Sequence, residues 1–233
     1  SKLPMSNSVR EKMNTLLCAD AEAVALRAST VVVEVAAAAI AARGVFHWVL
    51  AGGTTPKRCY QLLREASVDW SKVHIWFGDE RCLPVGDAAR NDQMADEALL
   101  KDVAIPAAQI HRMNTELGAE AAAEQYAILL KSAPVMDLVL LGIGEDGHTA
   151  SLFPDNPGLD DLRLALPVYH SPKPPSDRVS MGYAVLNSAH RCLMMVAGKG
   201  KADAMSRIFA GEKLPVARIP KAEWLIDHDA MGD

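Results

Sequence analysis

The sequence has few cysteines, no excess of basic residues and no long apolar run. Its four cysteines are scattered and form no C-x-x-C pair, which argues against a disulfide framework or zinc knuckle and favours reduced thiols in a cytoplasmic protein. Lys and Arg number 24 against 29 Asp and Glu, so the net charge of −5 argues against nucleic acid as the main partner. No uninterrupted apolar stretch is long enough to cross a bilayer, and the N-terminus lacks the pattern of a secretion signal. These absences predict a cytoplasmic protein with neither a membrane nor a nucleic-acid partner.

The length and composition predict one domain over residues 1–233. Half of the residues are hydrophobic, which is enough for a substantial core. No internal repeat, low-complexity tract or linker divides the chain. We expect Met5 to be the natural start, with residues 1–4 left from an expression vector.

Predicted strands and helices alternate along the chain, which indicates an α/β fold with a mainly parallel sheet. Strands are predicted near 14–18 and 179 and at 46–51, 73–77, 138–143, 192–197 and 223–227. Helices are predicted at 21–43, 56–66, 118–132 and 201–210, with a further helix capped by Asn91 and running through Leu100. Residues 78–91 are expected to form a long loop.

The segment Asp137 to Phe153, DLVLLGIGEDGHTASLF, is the most informative part of the sequence. Its aliphatic run without alternation is typical of a strand buried on both faces of a parallel sheet, and ligands bind beyond the carboxyl ends of such strands. Asp146 and His148 follow directly, so the pattern favours general acid–base chemistry near neutral pH. The alternative is a turn whose polar residues only cap the next helix. Ser151 lacks the G-x-S-x-G context of a serine nucleophile.

A second loop, AGGTTP at 51–56, has the composition of an anion site. Gly52 and Gly53 allow the backbone to approach a ligand closely, and Thr54 and Thr55 offer hydroxyl groups at the start of a helix. Pro56 suits the first helical position. The loop matches neither the Walker pattern nor the dinucleotide-binding pattern, and a plain tight turn is the alternative.

Charged side chains at other predicted strand ends extend this pattern. In GDERCLP, Asp79 and Arg81 follow a buried strand, where Arg81 could grip an oxyanion or could take part in an internal salt bridge. Lys199 and Lys201 begin a helix, where the macrodipole disfavours cations unless an anion is bound. Solvated surface lysines are the alternative. Arg178 is a further candidate anion ligand. The remaining histidines are far apart and form no metal-ligand pair.

Several segments together resemble the 6-phosphogluconolactonase family: LAGGTTPK (50–57), FGDERCLP (77–84), ARND (89–92), LLGIGEDGHTASLFP (140–154), RVSM (178–181) and AGKGKADAM (197–205). The resemblance implies a Rossmann-like fold, shared with glucosamine-6-phosphate deaminases, with helices on both faces of the sheet. It implies hydrolysis of 6-phospho-D-glucono-1,5-lactone to 6-phosphogluconate. A small sugar-phosphate lactone would be the partner, and neither a metal nor a cofactor would be needed.

The resemblance also implies roles for individual residues. His148 would take a proton from the water that attacks C1, and Asp146 would tune or orient the site. Arg81 would hold the substrate or the developing oxyanion, and Asp79 belongs to the same catalytic set. The residues expected to bind the substrate at its 6-phosphate are Gly52, Gly53, Thr54, Thr55, Arg178 and Lys201.

Two positions bear on the choice within the family. Glu145 stands where lactonases often carry proline. Because deaminases can also read E-D-G-H at this place, the tetrapeptide does not separate the two enzymes. Phe153 precedes Pro154 at the position where similar deaminases carry an acidic residue that is used in ring opening. The lactonase is therefore favoured over a deaminase or isomerase. A non-catalytic sugar-phosphate sensor is less expected, because similar regulators carry a DNA-binding helix-turn-helix and the sequence before Phe46 has no room for one.

Overall fold

A six-stranded parallel sheet forms the centre of the molecule. Its strands are, in spatial order, β1 (Thr15–Cys18), β9 (Glu223–Asp227), β8 (Arg191–Val196), β5 (Leu138–Gly142), β2 (Phe46–Leu50) and β3 (Val73–Phe77). The computed structural model describes residues 13–156 and 161–233, so the expected vector remnant and Met5 lie outside the described residues. The predicted parallel sheet is confirmed.

Helices cover both faces of this sheet, and two apolar clusters fill the space between the layers. The helices are α1 (Ala21–Arg43), α2 (Thr54–Leu62), α3 (Asn91–Ala98), α4 (Ala119–Ser132), α5 (Tyr183–Ser188), α6 (Ala202–Phe209) and α7 (His228–Met231). The bounds of α1 follow from local signals. Asp20 accepts a hydrogen bond from the amide of Ala23, and Gly44 ends the helix at a φ of 83°.

Helix α1 is long and rich in apolar residues. Its length of 23 residues and mean hydropathy of 1.8 would suffice for a membrane span by composition alone. However, Val24, Ala28 and Val32 are completely buried, and the helix contacts β8, β9 and α2. We therefore interpret α1 as a core helix that covers one face of the sheet.

A second, antiparallel sheet of three strands was not predicted. It consists of β4 (Asp79–Arg81), β7 (Arg178–Met181) and β6 (Ala165–Val168), in the order β4-β7-β6. The expected loop at 78–91 is therefore wrong at its start, where β4 follows β3 after Gly78 alone. The sequence hides β6 because Pro167 interrupts it. Proline is tolerated there because β6 is an edge strand.

The predicted starts of α2 and α3 are also wrong. Helix α2 starts at Thr54, so Pro56 occupies the third helical position. Asn91 is the first residue of α3, and its side chain does not cap the helix. Instead the carboxylate of Glu80 accepts hydrogen bonds from the backbone amides of Asn91 (2.7 Å) and Asp92 (2.9 Å). The carboxylate of Glu80 in β4 thus caps the N-terminus of α3 in place of a local side chain.

Three imidazole rings stack at the amino-terminal end of β2 and β3. His47 and His74 are register partners with ring centroids 4.5 Å apart, and His74 contacts His111 through a 3.0 Å hydrogen bond. The indole of Trp76 donates a hydrogen bond to Nδ1 of His47 (3.0 Å). Burial, followed by the neighbouring His74, lowers the pKa of His47 from 6.5 to about 4. The rings therefore pack as neutral imidazoles.

This stack should make the protein less stable in acid. Because the pKa of His47 is depressed in the folded state, its contribution to stability is present above pH 6.5 and is lost as the pH falls towards 4. The full shift of the His47 pKa corresponds to about 3 kcal/mol of stability. Because solvent at the half-buried His74 screens the interaction between the two rings, we expect about 2 kcal/mol. Denaturant titrations at pH 7 and pH 4.5 measure the free energy of unfolding. Between these two pH values it should fall by about 2 kcal/mol less in His47→Gln than in the wild type. The exposed His190, changed to Gln, is the control. An unchanged acid loss in His47→Gln would contradict this explanation.

Candidate active site

A cleft of about 200 Å³ lies beyond the carboxyl ends of β2 and β5. From β2 the chain continues outwards to β3, whereas from β5 it continues in the opposite direction to β8, so the cleft lies at the switch point of the sheet order. Its polar and charged lining residues are Asp79, Arg81, Asn91, His148, Lys173, Arg178 and Lys201. The strand ends predicted to carry the chemistry do meet here.

His148 and Asp146 form a hydrogen-bonded pair in the turn after β5. Nδ1 of the imidazole lies 2.5 Å from Oδ1 of Asp146, and the backbone amide of His148 donates to the same oxygen (3.0 Å). Burial raises the pKa of Asp146, but these hydrogen bonds outweigh it and lower the pKa to about 2. The carboxylate is then ionised and can only accept, so Nδ1 carries the proton, and in the neutral form of this ring the lone pair is on Nε2. This is the arrangement of a general base.

Close packing fixes the imidazole in one orientation. A Cβ atom at Gly144 would lie 1.9 Å from Cε1 of His148, so only glycine allows the ring to lie against the backbone here. On another side, the ring of Phe153 packs against His148 with centroids 4.4 Å apart. Phe153 is 1% exposed, and the Cζ atom of Arg178 lies 5.4 Å from the centroid of its ring. Phe153 thus lies between a candidate base and a candidate anion ligand.

Two guanidinium groups face the cleft from neighbouring strands of the small sheet. Arg81 of β4 and Arg178 of β7 are direct register partners. Like charges opposite each other are unfavourable, and a bound anion would relieve the repulsion. Burial, followed by the nearby Arg81, lowers the pKa of Arg178. The alternative of a salt bridge within the loop is not what we observe, because Nη1 of Arg81 donates to the carbonyl of Ala89 (2.8 Å) and Glu80 accepts backbone amides.

Lys201 and the glycine loop complete the positive side of the cleft. Lys201 ends the short 3₁₀ helix Lys199–Lys201 and lines the cleft, whereas Lys199 is exposed. Burial lowers the pKa of Lys201; the Glu145 carboxylate opposes that shift, and the Lys173 ammonium adds to it. Gly52 and Gly53 also line the cleft, with Gly53 at a φ of 109°.

The two threonines of this loop lie one step further along the chain. Thr54 and Thr55 form the first turn of α2, whose leading amides have no partner within the helix. Those amides can hold an anion at the edge of the cleft. Neither threonine is among the described residues that line the cleft.

Asp79 is held in the cleft wall by two side chains. Its Oδ2 accepts a hydrogen bond from the hydroxyl of Ser151 (2.6 Å), and its Oδ1 accepts one from the amide of Asn91 (3.1 Å). Ser151 is completely buried, which excludes it as an accessible nucleophile. Asp79 is oriented in this way, and its remaining lone pairs are free for a ligand hydroxyl group.

Two lining residues, Asn91 and Lys173, were missed from the sequence. Asn91 was interpreted as a helix cap, and Lys173 lies in a proline-rich loop that carries no recognisable motif. Their positions depend on tertiary contacts with β4 and β7. Among residues 13–156 and 161–233, no group of His, Cys, Asp and Glu is arranged to hold a metal ion.

Comparisons with known proteins agree with this geometry. The family model described as glucosamine-6-phosphate isomerases/6-phosphogluconolactonase matches residues 19–226. A 6-phosphogluconolactonase of Streptomyces coelicolor is 35% identical over 91% of this chain and 89% of its own length. The Mycobacterium tuberculosis 6-phosphogluconolactonase is 37% identical over 84% and 87%. A crystal structure of 6-phosphogluconolactonase from Thermotoga maritima superposes with a TM-score of 0.85 at 27% identity, over 91% and 98% of the two chains. The chain belongs to the glucosamine-6-phosphate isomerase/6-phosphogluconolactonase family.

Proposed function

We propose that this protein hydrolyses 6-phospho-D-glucono-1,5-lactone to 6-phospho-D-gluconate in the oxidative pentose phosphate pathway. The observation that carries the proposal is the His148–Asp146 pair, in which the carboxylate holds Nδ1, in a cleft that also contains Arg81, Arg178 and Lys201. An imidazole base at one point and cations at another suit a substrate that has an activated ester and a phosphate.

The reaction needs one base and charge stabilisation. Nε2 of His148 takes a proton from water as the water oxygen attacks C1 of the lactone. The tetrahedral intermediate collapses with cleavage of the bond between C1 and the ring oxygen, and the imidazolium returns its proton to that oxygen. Ionised Asp146 stabilises the imidazolium through Nδ1. A resident metal or cofactor is not required by this sequence of steps.

The other charged groups bind and orient the substrate. Arg178, Lys201, Gly52, Gly53 and the first amides of α2 hold the 6-phosphate, which fixes the ring so that C1 meets the base. Arg81 holds the substrate or stabilises the developing oxyanion, and Asp79 accepts a hydrogen bond from a sugar hydroxyl. Thr54 and Thr55 contribute mainly through their backbone amides.

Three sequence predictions accompany this function. The single domain over residues 1–233 stays a prediction, as does the absence of membrane and nucleic-acid partners. The cytoplasmic location also stays a prediction, which the four free cysteines support.

The proposed activity is tested by titration at constant pH with freshly prepared lactone. Hydrolysis forms a carboxylic acid that is fully ionised at neutral pH, so each turnover releases one proton. After subtraction of spontaneous hydrolysis, we expect a rate proportional to the protein concentration. A rate equal to that of buffer alone would refute the proposal.

We also expect glucosamine 6-phosphate not to be deaminated at a useful rate. Phe153 stands where the deaminases that this chain resembles carry an acidic residue, and a phenyl ring can neither donate nor accept the proton for ring opening. Ammonia release is the measurement, with lactone hydrolysis by the same preparation as the control. Ammonia release at a rate comparable with lactone hydrolysis would place this chain with the deaminases.

A further inference from the structure

The guanidinium of Arg178 fastens the proline-rich loop at residues 171–176. Its Nη2 donates to the carbonyls of Lys173 (3.0 Å) and Pro174 (2.9 Å), and its Nε donates to that of Pro175 (3.2 Å). The loop is closed at its base, where the amide of Ser171 donates to the carbonyl of Ser176. Two of the three guanidinium nitrogens of Arg178 therefore hold this loop in place.

The consequence of this attachment is the position of Lys173. The loop holds its backbone next to Arg178, and its side chain lines the cleft together with Arg81 and Lys201. The ammonium of Lys173 is close enough to Lys201 to contribute to the lowered pKa of that residue. Two lysines on separate loops thus face the same space, and their mutual repulsion is relieved when an anion lies between them.

The carboxylate on this side of the cleft cannot neutralise these cations fully. Asp79 is the acidic residue among the described lining residues, so one negative charge faces the positive charges of Arg81, Lys173, Arg178 and Lys201. Nη1 of Arg178 has no acceptor among the residues that the structure describes. The lining therefore retains an excess of positive charge that matches a doubly charged phosphate.

We propose that Lys173 is a phosphate-binding residue and that Arg178 is both a ligand and the residue that positions Lys173. The loop at 171–176 then acts as the third side of a phosphate clamp, opposite Lys201 and the glycine loop. This inference rests on the proposed function for its substrate, but the clamp itself binds phosphate whether or not the lactone is hydrolysed. It assigns Lys173 to the remote phosphate and not to the oxyanion at C1.

Calorimetric titration with inorganic phosphate tests the clamp without turnover. Lys173→Ala should weaken phosphate binding about three- to tenfold, because the ammonium lies at the exposed mouth of the cleft, where charge-assisted contacts are partly screened. Lys173→Arg should restore most of the affinity. Lys131→Ala removes an equal charge from an exposed position on α4, outside the cleft, and should bind phosphate as the wild type does. Phosphate affinity in Lys173→Ala equal to that of the wild type would overturn the proposal.

Kinetics separate the phosphate from the oxyanion. On 6-phosphogluconolactone, Lys173→Ala should raise KM by a similar factor with kcat little changed, and on unphosphorylated gluconolactone it should behave as the wild type. Equal losses on both lactones would overturn the assignment, because they would place Lys173 at C1. A wild type that binds phosphate but hydrolyses neither lactone would refute the proposed function and leave the calorimetric test of the clamp intact.

Discussion

Replacing His148 with alanine should lower kcat for lactone hydrolysis by about 10²–10⁴-fold, which is the usual contribution of a general base. The imidazole supplies Nε2, the atom that takes the proton from water, and Asp146 fixes its tautomer through the 2.5 Å contact to Nδ1. The fold should persist, because His148 lies in a turn beyond the sheet and alanine leaves no buried charge. Initial rates by titration at constant pH measure the effect.

The control for this variant is His190→Ala, which removes an exposed imidazole outside the cleft. Circular dichroism and thermal melting should match the wild type for both variants, so that lost activity cannot be assigned to unfolding. If His148→Ala keeps a kcat within a factor of about three of the wild type, His148 is not the base.

The second large effect concerns the phosphate. Lys201→Ala removes a charge-assisted contact worth roughly 1.5–3 kcal/mol, which is about one to two decades in kcat/KM. Arg178→Ala should lie at or beyond the upper end of that range, because the guanidinium also holds the loop that carries Lys173. Both variants should be inhibited less strongly by inorganic phosphate than the wild type.

Lys199→Ala is the matched control, since Lys199 lies in the same short helix as Lys201 but is exposed and outside the lining. Unphosphorylated gluconolactone should be a poor substrate for all of these proteins, with little difference among them. Equal losses on both lactones in Arg178→Ala and Lys201→Ala would show that these cations do not bind the phosphate.

The parts of the fold with strong local signals could be predicted from the sequence. The strand β5 is an unbroken aliphatic run, and α1 has Asp20 and Gly44 at its ends. The position of His148 in the cleft could be predicted because it lies in a short segment directly after a buried strand. The direct contact between Asp146 and His148 could not be read from the sequence, although it spans only two residues.

The small sheet and its contribution to the site could not be predicted. The strands β4 and β7 pair across nearly a hundred residues, and β6 contains a proline. For the same reason Asn91 was assigned as a cap, although Glu80 caps α3 and frees Asn91 to bind Asp79. Long-range pairing also decides that Arg178 lies opposite Arg81 and supports Lys173.

A crystal structure with 6-phosphogluconate bound would test the central claim most directly. The account predicts that phosphate oxygens lie within about 3 Å of Lys201 Nζ and Arg178 Nη1, and that the C1 carboxylate lies within about 3.2 Å of His148 Nε2, directly or through one water. A product bound in the opposite direction, with its phosphate at His148, would contradict the account. So would a C1 carboxylate that lies outside the reach of the imidazole.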